Sequence, residues 1–123
     1  MPKPSNIYPK RGDIWIADLI PGKGWEVAKK RPVIVISTNE INKILPLVVI
    51  IPISSRSHQA LGPERVFIEK GVLLEKDSVA LSHQIRAIDK TRLSKKIGIL
   101  SMEKLIEVEE SLKIVLGMIA LES

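Results

Sequence analysis

The sequence predicts a mainly β fold, a small antiparallel β-barrel followed by a C-terminal α-helix. Three observations carry that expectation. Apolar runs of strand length recur along the chain, turn signals sit close between them, and the spacing turns helical after Leu100.

The first strand is expected from Gly12 to Leu19 (GDIWIADL), with Asp13 and Asp18 near its ends. Ile20 to Arg31 reads as a loop, because Pro21, Gly22 and Gly24 break periodicity while Lys23, Lys29 and Lys30 keep it hydrated. Pro32 to Ser37 (PVIVIS) is a continuous apolar run that fits a strand buried on both faces. Asn39 to Lys43 is a short polar crossover with room for one helical turn. Leu47 to Ile53 (LVVIIPI) is a second buried strand, and Pro52, which has no amide to donate, is expected to mark an edge or bulge at its end. Ser54 to Pro63 reads as a polar loop. Further strands are expected at Arg65–Ile68, Ser78–Ser82, Gln84–Ile88 and Leu93–Leu100, with turns at Lys70-Gly71, Lys76-Asp77 and Asp89-Lys90. Ser101 suits a helix N-cap and Glu103 its first turn, and Leu105, Val108, Leu112, Val115 and Ile119 recur at helical spacing. An amphipathic helix is therefore expected from Met102 to Leu121. Its part from 112 to 121 is apolar nearly all round, more than one core face uses, which points to cover by a second copy of the chain.

The 123 residues fit a single domain spanning 1–123, with 1–9 as a flexible N-terminal extension and 101–121 as the C-terminal helix. Apolar residues make up 45% and aromatic ones only 3%, so the core must be aliphatic. Cysteine is absent, which excludes a disulfide framework and thiolate metal sites. The opening nine residues are polar and hold three prolines, unlike a signal peptide. The longest apolar run, Ile44 to Ile53, is interrupted by Pro46 and Pro52 and is too short to span a bilayer. A soluble, cytoplasmic protein is expected, with no membrane partner.

The net charge is +5, and its distribution is uneven. Residues 1–31 carry seven basic against three acidic side chains (+4), residues 32–100 ten against six (+4), and residues 101–123 two against five (−3). The surplus lies on the first hundred residues, where a phosphate-binding face would need it. Solubility alone is the plainer account of such a charge.

Three blocks of sequence carry a family resemblance. The first runs Lys10-Arg11-Gly12-Asp13-Ile14-Trp15 to Asp18-Leu19. The second is Gly24-Trp25-Glu26 followed by Arg31-Pro32-Val33-Ile34-Val35-Ile36. The third is Asp77-Ser78-Val79-Ala80-Leu81, then Gln84-Ile85-Arg86-Ala87-Ile88-Asp89-Lys90 and Arg92-Leu93. In this order and spacing, with a terminal helix, the chain resembles the MazF/PemK family of bacterial toxins. The resemblance implies an SH3-like barrel, a homodimer, and metal-independent, sequence-specific cleavage of single-stranded RNA with no cofactor. It also implies an antitoxin partner with an acidic, flexible tail, and contact with DNA only through the antitoxin complex. Two other readings stay open: a non-catalytic barrel of the same descent that binds RNA or antitoxin, and a gyrase-directed inhibitor. The gyrase-directed relatives use a Trp-Gly-Ile tail, which Leu121-Glu122-Ser123 does not match.

RNA can be cut without a metal because its own 2′-OH can attack the adjacent phosphate, leaving a 2′,3′-cyclic phosphate and a 5′-OH. The protein then has to align the attack, assist proton transfer and stabilise phosphoryl charge. Arg31 matches the family's catalytic arginine, and its planar fork can hold two phosphate oxygens at once. Ser54 stands at the end of the Leu47–Ile53 run, where the family usually places a threonine, and it keeps the hydroxyl. Ser55 is an equal alternative. No general base is named: His58 and His83 have the right unperturbed chemistry, but His83 stands where the family often has an acidic residue and no role carries over to it. Gly24, Trp25, Glu26, Lys29, Lys30, Ser55, Arg56, His58, Gln84 and Arg86 are the expected RNA-binding set. Trp25 replaces the family's usual small residue, either to stack on a base or to pin the loop onto the barrel. Gln84 suits a base edge. Arg86 suits a phosphate, or alternatively an ion pair with Asp89 or Asp77. Ala28-Lys29-Lys30 stands where many members have a glycine pair.

Overall fold

The computed structural model describes residues 8–26, 28–56, 62–71 and 73–121. In chain order the elements are β1 (Asp13–Asp18), β2 (Lys30–Val35), α1 (Asn39–Ile44), β3 (Leu47–Ser54), β4 (Arg65–Ile68), β5 (Ser78–Leu81), β6 (Arg86–Asp89), β7 (Leu93–Ile99) and α2 (Met102–Val115). Every ladder is antiparallel. The strands run β4-β5-β3-β2-β1-β7, and β6 also pairs with β3.

The alternation of β2 and β3 explains why their runs are apolar throughout. Ile34, Ile51 and Ile53 join Ile14, Leu105 and Val108 in one buried cluster beneath α2. Val33, Val35, Val48 and Ile50 join Ala17, Leu19 and Ile88 in a second cluster on the opposite side. Each strand thus serves two cores, as runs without polar alternation require.

Four expectations need correction. First, no ladder joins β7 to β4 among the described residues, so the curled sheet is not closed into a full barrel. The fold class itself stands, mostly antiparallel β with a C-terminal helix. Second, Pro52 marks no edge: it lies opposite Val33 inside β3, which pairs with three other strands. It is tolerated because β6 pairs with Leu47–Ile50 and β5 with Ile53–Ser54, so Pro52 falls where one neighbour hands over to the other. Third, Gln84 is not in a strand: Ser82–Gln84 form a 3-10 turn and β6 starts at Arg86. Fourth, α2 stops at Val115 instead of continuing to Leu121. Gly117 takes φ 74°, its amide donates to the Ile114 carbonyl at 3.0 Å, and Met118 donates to Lys113 at 2.7 Å. These are the two bonds of a Schellman closure, which glycine allows at no steric cost.

The start of the chain's described part ties these elements together. Asp13 is buried, and its carboxylate accepts from the Lys10 amide (2.8 Å) and Trp15 Nε1 (3.1 Å) and pairs with Lys96 on β7 (3.3 Å). Arg11 donates to the Ile36 carbonyl at 3.2 Å and pairs with Glu109 of α2. Gly12, at φ 92°, donates to Val35 and accepts from Leu100, both at 2.8 Å. The Arg-Gly-Asp tripeptide therefore links β1, β2, β7 and α2.

Asp13→Ala should lower stability by about 2–3 kcal/mol, since it strands two donors and a partly screened lysine around a buried site. Urea denaturation of both proteins measures this. A loss below about 0.5 kcal/mol, the range of ordinary surface changes, would show that water replaces the carboxylate freely.

Candidate functional site

The site begins with a missing amide. The β2–β3 register, continued one step past Val33↔Pro52, sets Pro32 opposite Ile53. Proline has no N–H to give, so the Ile53 carbonyl receives no ladder bond from that position. The neighbouring Arg31 turns its guanidinium toward it, with Nη1 3.5 Å from the Ile53 oxygen and Nε donating to Ala28 at 3.1 Å. Two backbone carbonyls thus orient a half-buried arginine inside β2. Burial, and after it the nearby Arg56 charge, lower the Arg31 pKa from its ordinary value. The preceding Lys29 sits at φ 78°, a left-handed conformation that glycine adopts without strain and lysine does not.

Ser54 ends β3 and is 5% exposed. Its Oγ accepts from the Arg56 amide at 3.2 Å, a bond that leaves the hydroxyl proton out of account and turns the chain so that Arg56 follows. Ser54, Arg31 and Arg56 line one cleft of about 580 Å³. Gly24, Trp25, Glu26 and Lys29 form its loop wall, and Arg65, Leu81, His83 and Gln84 its other side.

The loop wall is fastened at several points. Gln84 Nε2 donates to the Trp25 carbonyl at 3.2 Å. Glu26 closes a turn with Lys23 through bonds of 2.9 and 3.1 Å. Arg92 Nη1 holds the loop's first residues through the carbonyls of Asp18 (3.0 Å) and Ile20 (2.7 Å). Trp25 itself is 98% exposed, so it does not pin the loop; Gln84 does. The indole is left as an open stacking face.

Other expected residues lie nearby but apart. Lys30 and Ser55 line an adjoining groove of about 490 Å³ that shares Lys29, Arg31 and Arg56 with the cleft. The groove separates the two serines: Ser54 faces the Arg31 cleft and Ser55 the groove. Arg86 lines a hollow with Trp25, Glu26, His83 and Gln84, outside the Arg31 cleft. Neither ion pair expected for it forms among the described residues. Asp89 accepts instead from the Thr91 amide (2.9 Å) and hydroxyl (2.7 Å), which hold its carboxyl below its ordinary value, and Asp77 accepts from the Lys70 amide (2.8 Å). His58 lies outside the described residues.

Two ionisable cleft residues lie outside the expected set, although His83 has the acid–base chemistry noted above. His83 stands on the 3-10 turn, whose placement depends on the break before β6. Arg65 opens β4, where Val66 and Ile68 are buried and Arg65 and Phe67 are not. That alternation was the available signal for a side chain facing away from the core. Together the cleft offers a bidentate cation, a buried hydroxyl and an imidazole, the groups that phosphoryl chemistry on RNA calls for.

Comparison with known proteins shows the family and the fold. Residues 10–116 match the family described as PemK-like, MazF-like toxin of type II toxin–antitoxin systems. MazF from Deinococcus radiodurans superposes with a TM-score of 0.79 at 26% identity, covering 92% of this chain and 100% of that one. A mycobacterial endoribonuclease solved with its cognate antitoxin gives 0.69 at 20% identity, over 89% and 93% of the chains. The Mycobacterium tuberculosis toxin MazF-mt6 gives 0.71 at 22% identity, over 85% and 96%.

Proposed function

Because the chain belongs to the PemK-like, MazF-like toxin family of type II toxin–antitoxin systems, we propose that it is an endoribonuclease that cuts single-stranded RNA at specific sequences without a metal. The observation that carries this reading is the convergence of Arg31, Ser54 and His83 on one cleft. Two of the similar structures are themselves named endoribonucleases.

In the proposed reaction the 2′-oxygen attacks the adjacent phosphorus, the bond from phosphorus to the 5′-oxygen breaks, and a 2′,3′-cyclic phosphate and a 5′-OH result. His83 takes the 2′-OH proton, and a proton is returned to the departing 5′-oxygen. Arg31 neutralises charge on the phosphoryl oxygens from a position fixed by two carbonyls, so little reorganisation accompanies the reaction. Ser54 donates its hydroxyl proton to one of those oxygens. Trp25 stacks on a base beside the cut, a contact worth about 1–3 kcal/mol, and the 24–26 loop with Gln84 sets which base is accepted.

The same cations suit an acidic antitoxin tail, which would occupy the cleft in place of RNA; similar structures hold a toxin with its antitoxin. DNA contact follows only through such a complex, and the protein works in the cytoplasm. No helix among the described residues is long and apolar enough to cross a membrane. A homodimer is part of the proposal. Leu116 (54% exposed), Met118 (67%) and Leu121 (62%) leave the end of α2 uncovered, beside a groove that Ile36, Ile41, Val49 and Leu112 also line.

Cleavage should proceed in EDTA and leave 2′,3′-cyclic phosphate ends. Activity that EDTA abolishes and magnesium restores, or products with 5′-phosphates, would overturn the mechanism. Arg31→Ala should reduce the cleavage rate by about 10²-fold or more, with poor rescue by Arg31→Lys, which lacks the fork. His83→Ala should cost about 10²-fold or more as well. Gel-based rates on folded variants decide both, and wild-type rates in either would remove that residue from the chemistry. Met118→Glu should weaken self-association at least tenfold, read by sedimentation equilibrium. A wild type that stays monomeric at micromolar concentration would exclude the dimer.

A further inference from the structure

Even with Glu26 on its wall and Glu64 paired to Arg65, the cleft holds more positive charge than one scissile phosphate needs. Arg31 comes from β2, Arg56 follows β3 and Arg65 opens β4, so three separate segments bring guanidinium groups to one place. A phosphodiester carries a single negative charge, and like charges gathered in one cleft repel each other until anions fill it. The arrangement therefore suits a chain with more than one phosphate.

Arg65 is held with particular care. Its backbone amide donates to Gly62 at 3.1 Å, and the Ser82 amide binds the preceding Glu64 carbonyl at 2.9 Å, fixing the strand's first turn. The side chain is 23% exposed and its Nη1 is paired with the Glu64 carboxylate. Its Nε is buried and meets no acceptor among the described residues. A buried donor left without a partner costs about 1–3 kcal/mol, so the fold carries a cost to hold this guanidinium at the cleft. Neither Arg31's bonds nor the proposed chemistry uses this group.

We infer that Arg65 grips the RNA phosphate next to the scissile one, with Glu64 setting the orientation of its guanidinium. The inference rests on the RNA-cleaving reading. Arg65 binds the substrate in ground state and transition state alike, whereas Arg31 acts on the charge that develops during the reaction. Loss of Arg65 should therefore raise KM and leave kcat nearly unchanged.

The experiment uses the full chain and an RNA oligonucleotide whose attacking 2′-OH is methylated, so that binding is measured without cleavage. Fluorescence anisotropy across a salt series gives affinity and salt slope, and the unmodified oligonucleotide gives kcat and KM. Arg65→Ala should weaken binding about tenfold or more and reduce the magnitude of the log–log salt slope by about 0.7, the value for one phosphate on a single strand. Arg65→Lys should keep the slope, and Glu64→Gln should weaken affinity while leaving the slope intact. Arg65→Met, which keeps most of the aliphatic stem, replaces the alanine variant if that one unfolds. A wild-type slope and affinity in the neutral variants, while the wild type cleaves, would overturn the inference, as would a fall in kcat with KM unchanged. A wild type that shows the Arg65-dependent slope yet never cuts RNA would remove the nuclease reading and leave the phosphate contact standing.

Discussion

Everything in this molecule leans on β3. Its eight residues pair with β2 along one edge and with β6 and then β5 along the other, so three strands take their positions from it. Because the strand is shared, its side chains are needed by both hydrophobic clusters, and Val48, Ile50, Ile51 and Ile53 are almost fully buried. Burial of an aliphatic side chain of this kind is worth about 1.5–3 kcal/mol. The two prolines of the β2–β3 pair do not weaken it, because each is set where an amide would find no use or where a side chain serves in its place.

The second of those cases joins fold to chemistry. Pro32 denies the Ile53 carbonyl a ladder bond, and the arginine just before it turns toward that oxygen. The Arg-Pro pair is thus one device: the proline opens an acceptor and the arginine is oriented by it. Ser54 follows Ile53 directly, so the hydroxyl and the guanidinium arrive together at the end of β3 as a consequence of register. An arginine aimed by two carbonyls has lost most of its rotamer freedom before any ligand arrives, which is the condition for effective electrostatic stabilisation.

The cationic cleft is also a concentration of unfavourable energy. Burial, and after it the Arg56 charge, lower the Arg31 pKa, so the charged form is favoured less here than in water. An anion in the cleft relieves that cost. On the proposed reading this gives RNA and an acidic antitoxin tail the same driving force, and makes their competition for the site a matter of shared charge.

Local pattern was enough for the strands and for the Ser101 cap, whose Oγ accepts from the Lys104 amide at 3.2 Å, whereas Arg31 and Ser54 were singled out by the family resemblance. Strands and cap depend on which residues alternate and on one hydroxyl ahead of a helix, both properties of a few adjacent positions. Gly117 was equally legible as a helix stop, but the apolar spacing running past it masked the signal. Other features were decided only by the tertiary structure. Pro52 is harmless because β6 ends and β5 begins beside it, and no local pattern records where a distant partner strand stops. Trp25 stays exposed while Gln84, 59 positions away in sequence, holds its backbone carbonyl. Arg65 and His83 enter the cleft because β4, β5 and the turn after them fold back alongside β3. Sequence periodicity determines which face of a strand a side chain takes, whereas the neighbours that face will meet are set by long-range register, which the whole chain must agree on at once.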